Sequence, residues 1–316
     1  MKIALTRVIP PPALERLARL GDLRVWREDR DMSREELSSW ETDAEILCSM
    51  LTNPIDGPLL DRRPRTRLIA NYAVGYNNID LEEAKKRGVA VTNTPGVLTD
   101  STADLTLALI LDVSRRITEG DRLVRRGEFQ GITPLFHLGR GLTGKTLGIY
   151  GLGRIGAAAA RRALPFGLRV IYHNRRPNPE LERELGVRWV SLDDLLAHSD
   201  IISINAPLTP ETKHRFTIAE FKAMKPGAFI VNTGRGPIIK EADLAEALSR
   251  GLIAGAGLDV YEFEPQVDPG LIGRENVVLA PHLGSATLEV RAAMADLVAD
   301  NVEAFIQGRP LPHRVA

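Results

Sequence analysis

Cysteine is almost absent: Cys48 is the only one in 316 residues. That excludes an intrachain disulfide and fits a reducing compartment, so a cytoplasmic location is expected. Cys48 sits in the apolar run AEILCSM, where a buried, inert thiol is expected. Net charge is missing as well. The 41 lysine and arginine residues balance 41 aspartate and glutamate residues, so neither a nucleic-acid partner nor a membrane surface is expected. No apolar run approaches the roughly 18 residues that span a bilayer. The opening MKIALTR carries no signal-peptide apolar region or cleavage site. A chain of this length buries enough surface to fold without disulfides or metal, and no metal site is expected.

What the chain does have is alternation. KIALTR (2–7), LRVW (23–26), AEILCS (44–49), RLIANYAVG (67–75) and VAVTN (89–93) read as strands. Helical stretches separate them, including SREEL behind Ser33, a capping box with Glu36, and LEEAKKRG behind Asp80. The stretch MLTNPID reads as a loop. Strand–helix alternation of this kind argues for a parallel sheet covered on both faces. From Thr99 to about Glu128 the apolar positions Leu105, Leu109, Val113 and Ile117 keep helical spacing, which predicts one long helix weakened at its far end by Gly120 and Gly127. The glycine-rich segment 131–145 reads as a packing arm.

The segment TLGIYGLGRIGAAAARRALPFG (146–167) then places a short buried strand before Gly151, Gly153 and Gly156 and an Ala-rich helix after them. At this G-x-G-x-x-G spacing the first glycine makes the tight turn and the second admits a pyrophosphate. The third lets helix and strand close up, and the helix N-terminus faces the diphosphate. Alternation resumes through LRVIYHN, DIISINAPLT, AFIVNTGRG, IAGAGLDV and NVVLAPHLG, and a second long helix, 285–308, closes the sequence. Long helices on either side of a dinucleotide-binding unit predict a nested plan. A nucleotide domain, 99–286, would be inserted into a substrate domain made of 1–98 and 287–316. The alternative is a simple tandem of two domains.

In NAD-binding versions of such a unit, an acid about 20 residues past the glycines accepts hydrogen bonds from the adenine ribose. Here the strand ends in Tyr172 and His173, followed by Asn174, Arg175 and Arg176, with no acid. A carboxylate would repel a 2′-phosphate, whereas guanidinium groups match its charge and geometry. NADP(H) is therefore expected over NAD(H), which stays possible.

Three loops that follow strands offer acid–base and anion-binding groups: Arg235 in NTGRG, Glu264 in DVYEFEP and His282 in APHLGS. Taken singly, each is as well explained as a surface charge, an exposed acid or a structural histidine. Together with NYAVGYNNID (71–80), TNTPGVLTDSTADL (92–105), GLGRIG (151–156), NAPLTPET (205–212), VNTGRG (231–236), GLDVYEFEP (257–265) and PHLGSAT (281–287), they make the chain resemble the D-2-hydroxyacid dehydrogenases. Within that family the resemblance is to the glyoxylate/hydroxypyruvate reductases.

The resemblance implies an α/β fold of two Rossmann-like, doubly wound parallel-sheet domains, and a homodimer with 131–145 as its arm. It implies hydride transfer from NADPH to a small 2-keto acid held in the cleft. Arg235 would bind the substrate carboxylate. His282 would protonate the developing alkoxide and also contact substrate, and Glu264 would favour its imidazolium form. Val74 and Gly75 would hold the carboxylate through their N–H groups, and Leu51, in the loop Met50–Asn53, would face the substrate side chain. Thr102, Leu152, Gly153, Arg154 and Ile155 would hold the diphosphate. Asn174, Arg175 and Arg176 would meet the adenosine end. Thr233, Gly234 and Gly284 would line the cofactor, and Asp259 would orient the nicotinamide carboxamide. Val74 stands where the phosphite-oxidising branch has lysine, and Glu264 where the formate-oxidising branch has glutamine, so neither activity is expected. Asn205 has no role on this reading. The rival functions are an NAD(H)-dependent dehydrogenase of another 2-hydroxy acid and a nucleotide-sensing, corepressor-like binding protein.

Overall fold

Every pairing between named strands is parallel in the computed structural model, which describes all 316 residues. The strands form two sheets, and the chain divides into two units, residues 1–98 with 286–316 and residues 99–285.

The first unit runs β1 (Lys2–Leu5), α1 (Pro11–Leu20), β2 (Asp22–Val25), α2 (Arg34–Ser39), β3 (Ile46–Met50), α3 (Gly57–Asp61), β4 (Leu68–Tyr72), α4 (Leu81–Lys86) and β5 (Ala90–Thr92). Its sheet order is β2-β1-β3-β4-β5. Successive strand residues point to opposite faces, and the sequence uses both. Ile3, Leu5, Ile46, Cys48, Leu68 and Ala70 face α1 and the closing helix Leu288–Ile306, which inserts Met294, Val298 and Val302. Each of those large side chains contributes about 1.5–3 kcal/mol by leaving water. Ala4, Leu47, Ile69 and Val91 face α2, α3 and α4 on the other side. Cys48 is fully buried, and burial pushes its thiol up to about 12, so it is inert.

The second unit runs α5 (Thr99–Arg115), α6 (Ile117–Arg125), β6 (Thr146–Tyr150), α7 (Arg154–Ala163), β7 (Arg169–His173), α8 (Pro179–Leu185), β8 (Arg188–Trp189), α9 (Leu192–His198), β9 (Ile201–Ile204), α10 (Ile218–Ala223), β10 (Phe229–Asn232), α11 (Glu241–Ser249), β11 (Gly255–Leu258) and β12 (Val277–Leu279). Its sheet order is β12-β11-β10-β9-β6-β7-β8. The chain winds outward from β6 one way and returns to wind the other way from β9. The switch point of this doubly wound sheet therefore lies at the carboxyl ends of β6 and β9. Ala157, Ala159, Ala160 and Ala163 on α7 are small enough for α5 to pack closely over them.

The structure departs from the sequence reading at several places. The single helix expected over 99–128 is broken at Arg116, whose φ of 58° lies in the left-handed region. The break is held by Arg116 Nε on the Glu119 carboxylate at 2.7 Å and by His137 Nε2 against the Arg116 carbonyl at 2.9 Å. Helix α3 starts just past the stretch read as a loop, where Asp56 caps the Leu59 N–H at 3.0 Å and Leu59 and Leu60 are buried. β4 ends at Tyr72, leaving 73–75 as a loop. The closing helix begins at Leu288, capped by Thr287. No helix is long and apolar enough to cross a membrane.

Candidate active site

Because all strands of the second sheet run one way, the loops that follow them gather at one edge. The loop after β6 carries the glycines. Gly151 has φ +102°, and a Cβ there would lie 2.6 Å from the Ala206 amide nitrogen. At Gly156 a Cβ would lie 2.3 Å from the Gly151 carbonyl oxygen. A Cβ at Gly153 would meet nothing within 4 Å, so the space in front of it is open. The start of α7 has no side-chain cap, and the Arg154 and Ile155 N–H groups make no hydrogen bond in the chain. By contrast, Leu152 N–H donates to Asn174 Oδ1 at 2.7 Å and Gly153 N–H to the Gly151 carbonyl at 2.9 Å. The first free donors of this helix are thus those of Arg154 and Ile155. Asn174 also donates to the Leu152 carbonyl at 3.3 Å. Its amide holds the glycine loop from both sides.

A cavity of about 710 Å³ continues from this loop along β7 and the loop after β9. Tyr150, His173, Arg175, Arg176, Glu211 and Arg215 are among its lining residues. Arg175 and Arg176 are exposed and form no ion pair, whereas Arg215 is paired with Glu220 at 3.0 Å. The Glu211 carboxyl is held below its ordinary value, first by the Thr209 hydroxyl that donates to it at 2.7 Å and also by the charge of Arg175. Open space at a glycine turn and free N–H groups at a helix start beside a cavity fit a dinucleotide.

Next along the edge come the loops after β9 and β10. Asn205 accepts from Ser203 Oγ at 2.8 Å and donates to Thr233 Oγ1 at 3.1 Å, so it bridges the two loops. Thr233 Oγ1 also meets Thr106 Oγ1 at 2.8 Å, which ties its loop to α5. Gly234 N–H donates to Asn232 Oδ1 at 3.0 Å, and the Asn232 amide donates to the Arg235 carbonyl at 3.0 Å. Arg235 is half-buried; burial lowers its pKa and the Glu264 carboxylate opposes that.

The loops after β11 and β12 complete the set. His282 Nδ1 and Glu264 Oε2 are 2.9 Å apart. Burial pushes the Glu264 carboxyl up. The hydrogen bond and charge of His282, the Tyr261 N–H and the charge of Arg235 outweigh it, so its pKa falls below the ordinary carboxylate value. His282 itself has φ 55°, an unusual backbone for a non-glycine residue, with a cost of about 1–3 kcal/mol. Asp259 holds it there. The Asp259 carbonyl accepts the His282 N–H at 2.9 Å, and its carboxylate accepts the N–H groups of Leu283 at 2.6 Å and Gly284 at 2.9 Å. Asp259 is almost wholly buried, and that burial pushes its carboxyl up. Thr102 and Ser101, at the start of α5, donate to the Gly284 carbonyl at 2.9 and 2.8 Å. Both glutamates of DVYEFEP are engaged, but differently. Glu262 takes His214 Nε2 at 2.5 Å and caps the Glu241 N–H at 2.9 Å, so it braces α11, while Glu264 meets His282.

In the first unit, Leu51, Val74 and Gly75 lie in the loops after β3 and β4 and are half-buried. The structure thus gathers Arg235, Glu264, His282, Thr102, Thr233, Gly234, Asp259 and Gly284 at one sheet edge of the second unit, with the glycine loop farther along it. Sequence reasoning missed the bridging task of Asn205 and the loop-holding task of Asp259. Both are amide or carboxylate contacts to backbone or hydroxyl groups across long sequence separations, which leave no spacing pattern.

Residues 107–284 match the family model described as D-isomer specific 2-hydroxyacid dehydrogenase, NAD binding domain. The chain is 48% identical to a glyoxylate reductase of Thermococcus litoralis, over 99% of this chain and 96% of the relative. Among solved structures, it is similar to an NADPH-dependent glyoxylate/hydroxypyruvate reductase from Sinorhizobium meliloti in complex with NADP and malonate. That match has 35% identity and a TM-score of 0.86 and covers 100% of this chain and 96% of the other. A glyoxylate reductase from Paecilomyes thermophila is 36% identical, with a TM-score of 0.88 and coverage of 100% and 98%.

Proposed function

The chain belongs to the D-isomer specific 2-hydroxyacid dehydrogenases, and from that premise we propose that it reduces glyoxylate and hydroxypyruvate to the D-2-hydroxy acids, with NADPH as the preferred reductant. The observation that carries this reading is the 2.9 Å pair of His282 Nδ1 and Glu264 Oε2 on the sheet edge that also bears Arg235. The bound nicotinamide supplies the hydride. Since Glu264 occupies Nδ1, the proton for the substrate oxygen leaves from His282 Nε2. The Glu264 carboxylate holds the ring through Nδ1 and leaves Nε2 for the substrate. Arg235 balances the substrate carboxylate and polarises the carbonyl beside it. The N–H groups of Val74 and Gly75 are further donors for that carboxylate, and Leu51 meets the substituent on the keto carbon.

NADPH is supported by what stands after β7: no acid, and two arginines without ion pairs. Glu211 tempers the preference, because it lines the same cavity and its charge and that of Arg175 act on one another. Saturation curves with glyoxylate and each cofactor test the assignment. We expect kcat/KM at least about tenfold higher with NADPH. Arg175→Ala should lower it about 10- to 100-fold for NADPH, the worth of one charge-assisted hydrogen bond, with little change for NADH. A wild-type preference for NADH refutes the cofactor reading.

The enzyme is further read as a cytoplasmic homodimer. Support for the dimer comes from the end of α6 and the segment after it, where Ile132 is 88% and Leu135 82% exposed, with Val124, Phe129 and Leu138 also uncovered. Such a concentration of large apolar side chains on one stretch is what a covered surface carries.

A further inference from the structure

The loop 73–75 has three successive carbonyls drawn inward. Ala73 C=O accepts the Thr94 N–H at 2.9 Å, Val74 C=O accepts Asn93 Nδ2 at 2.8 Å, and Gly75 C=O accepts Asn71 Nδ2 at 2.9 Å. In a planar trans peptide the N–H points opposite to the carbonyl of the same unit. Pulling these three oxygens in therefore turns the N–H groups of Val74, Gly75 and Tyr76 out, and none of the three makes a hydrogen bond in the chain. Successive outward N–H groups form a concave anion site. The amides that set it are themselves fixed. Asn71 is fully buried and its Oδ1 accepts from Ser49 Oγ at 3.0 Å, so its NH₂ end must face Gly75. Asn93 is 8% exposed, and the neighbouring Thr94 N–H shares its task.

We propose that Asn93 and Asn71 are positioning residues: by holding the Val74 and Gly75 carbonyls, they aim the Gly75 and Tyr76 N–H groups at the carboxylate of the 2-keto acid. This rests on the functional reading above and adds a third donor, Tyr76 N–H, to the two it named. Without Asn93 the peptide joining Val74 to Gly75 is free to rotate, and the Gly75 donor is lost for part of the time.

The test uses the full-length protein with Asn93→Ala and Asn93→Leu, the second filling the space without a donor. KM for glyoxylate should rise about tenfold or more while kcat changes less, and oxalate affinity measured by calorimetry should fall by a similar factor. Activity on methyl glyoxylate, which has no anion to hold, should change little in either variant. NADPH binding and the melting temperature report on folding. Equal losses on acid and ester, or unchanged oxalate affinity in a folded variant, overturn the positioning role. A wild-type enzyme that binds oxalate but turns over no 2-keto acid would sink the functional reading and leave the anion site standing.

Discussion

His282 sits in a backbone conformation that few histidines adopt, and three hydrogen bonds to Asp259 keep it there. That much scaffolding around one ring predicts a large loss when the ring goes: His282→Ala should lower kcat by about 10² to 10⁴, measured with saturating NADPH and glyoxylate. Glu264→Gln keeps the size of the partner and removes its charge. The neutral amide holds the ring less firmly than the charge-assisted hydrogen bond does, so kcat with saturating NADPH and glyoxylate should fall about tenfold or more, and an unchanged kcat would contradict the pairing. The same substitution reads out in stability. Because the Glu264 carboxyl lies below its ordinary value of 4.5, its ionised form stabilises the fold above that value. That contribution is lost as pH falls through the lower folded value, so the variant's melting temperature should depend less on pH there. Arg235, Glu264 and His282 could be named from the sequence because several motifs in fixed order surround them. Asn71, Asn93 and Asn205 could not: Asn93 and Asn205 act on groups from another strand's loop, and Asn71 holds a carbonyl four residues on in a loop with no periodic pattern.

The turn from β6 to α7 has the least room for change. A methyl group at residue 151 would strike the Ala206 backbone and require a left-handed conformation. Gly151→Ala should therefore destabilise by about 2–4 kcal/mol in urea titrations and weaken NADPH binding. Gly153→Ala, where a Cβ meets no neighbour, should spare stability and act only on cofactor affinity. Strands and turns of this kind were legible because a buried parallel strand is an unbroken apolar run, and G-x-G-x-x-G has a mechanical reading. Boundaries were less so. The pattern 99–128 keeps helical spacing through Arg116, and only contacts with Glu119 and His137 turn the chain there. Helix α3 is five residues long, too short to show a period. The two-residue β8 was invisible for the same reason.

At the scale of the whole molecule, the apolar stretch with Ile132 and Leu135 predicts association. Light scattering should give twice the mass of one chain at micromolar protein, and the double substitution Ile132→Asp with Leu135→Asp should shift it towards the single-chain mass. A wild-type protein of single-chain mass would refute the dimer. The closing helix has another consequence. It covers Ile3, Ile46 and Leu68, side chains from the opposite end of the chain. On the ribosome, the β1–β5 sheet must wait with that face covered by α1 alone while all of 99–285 is synthesised. The segment made second is the first that can finish folding, and the nascent N-terminal third is the part of this protein that most needs a chaperone's cover.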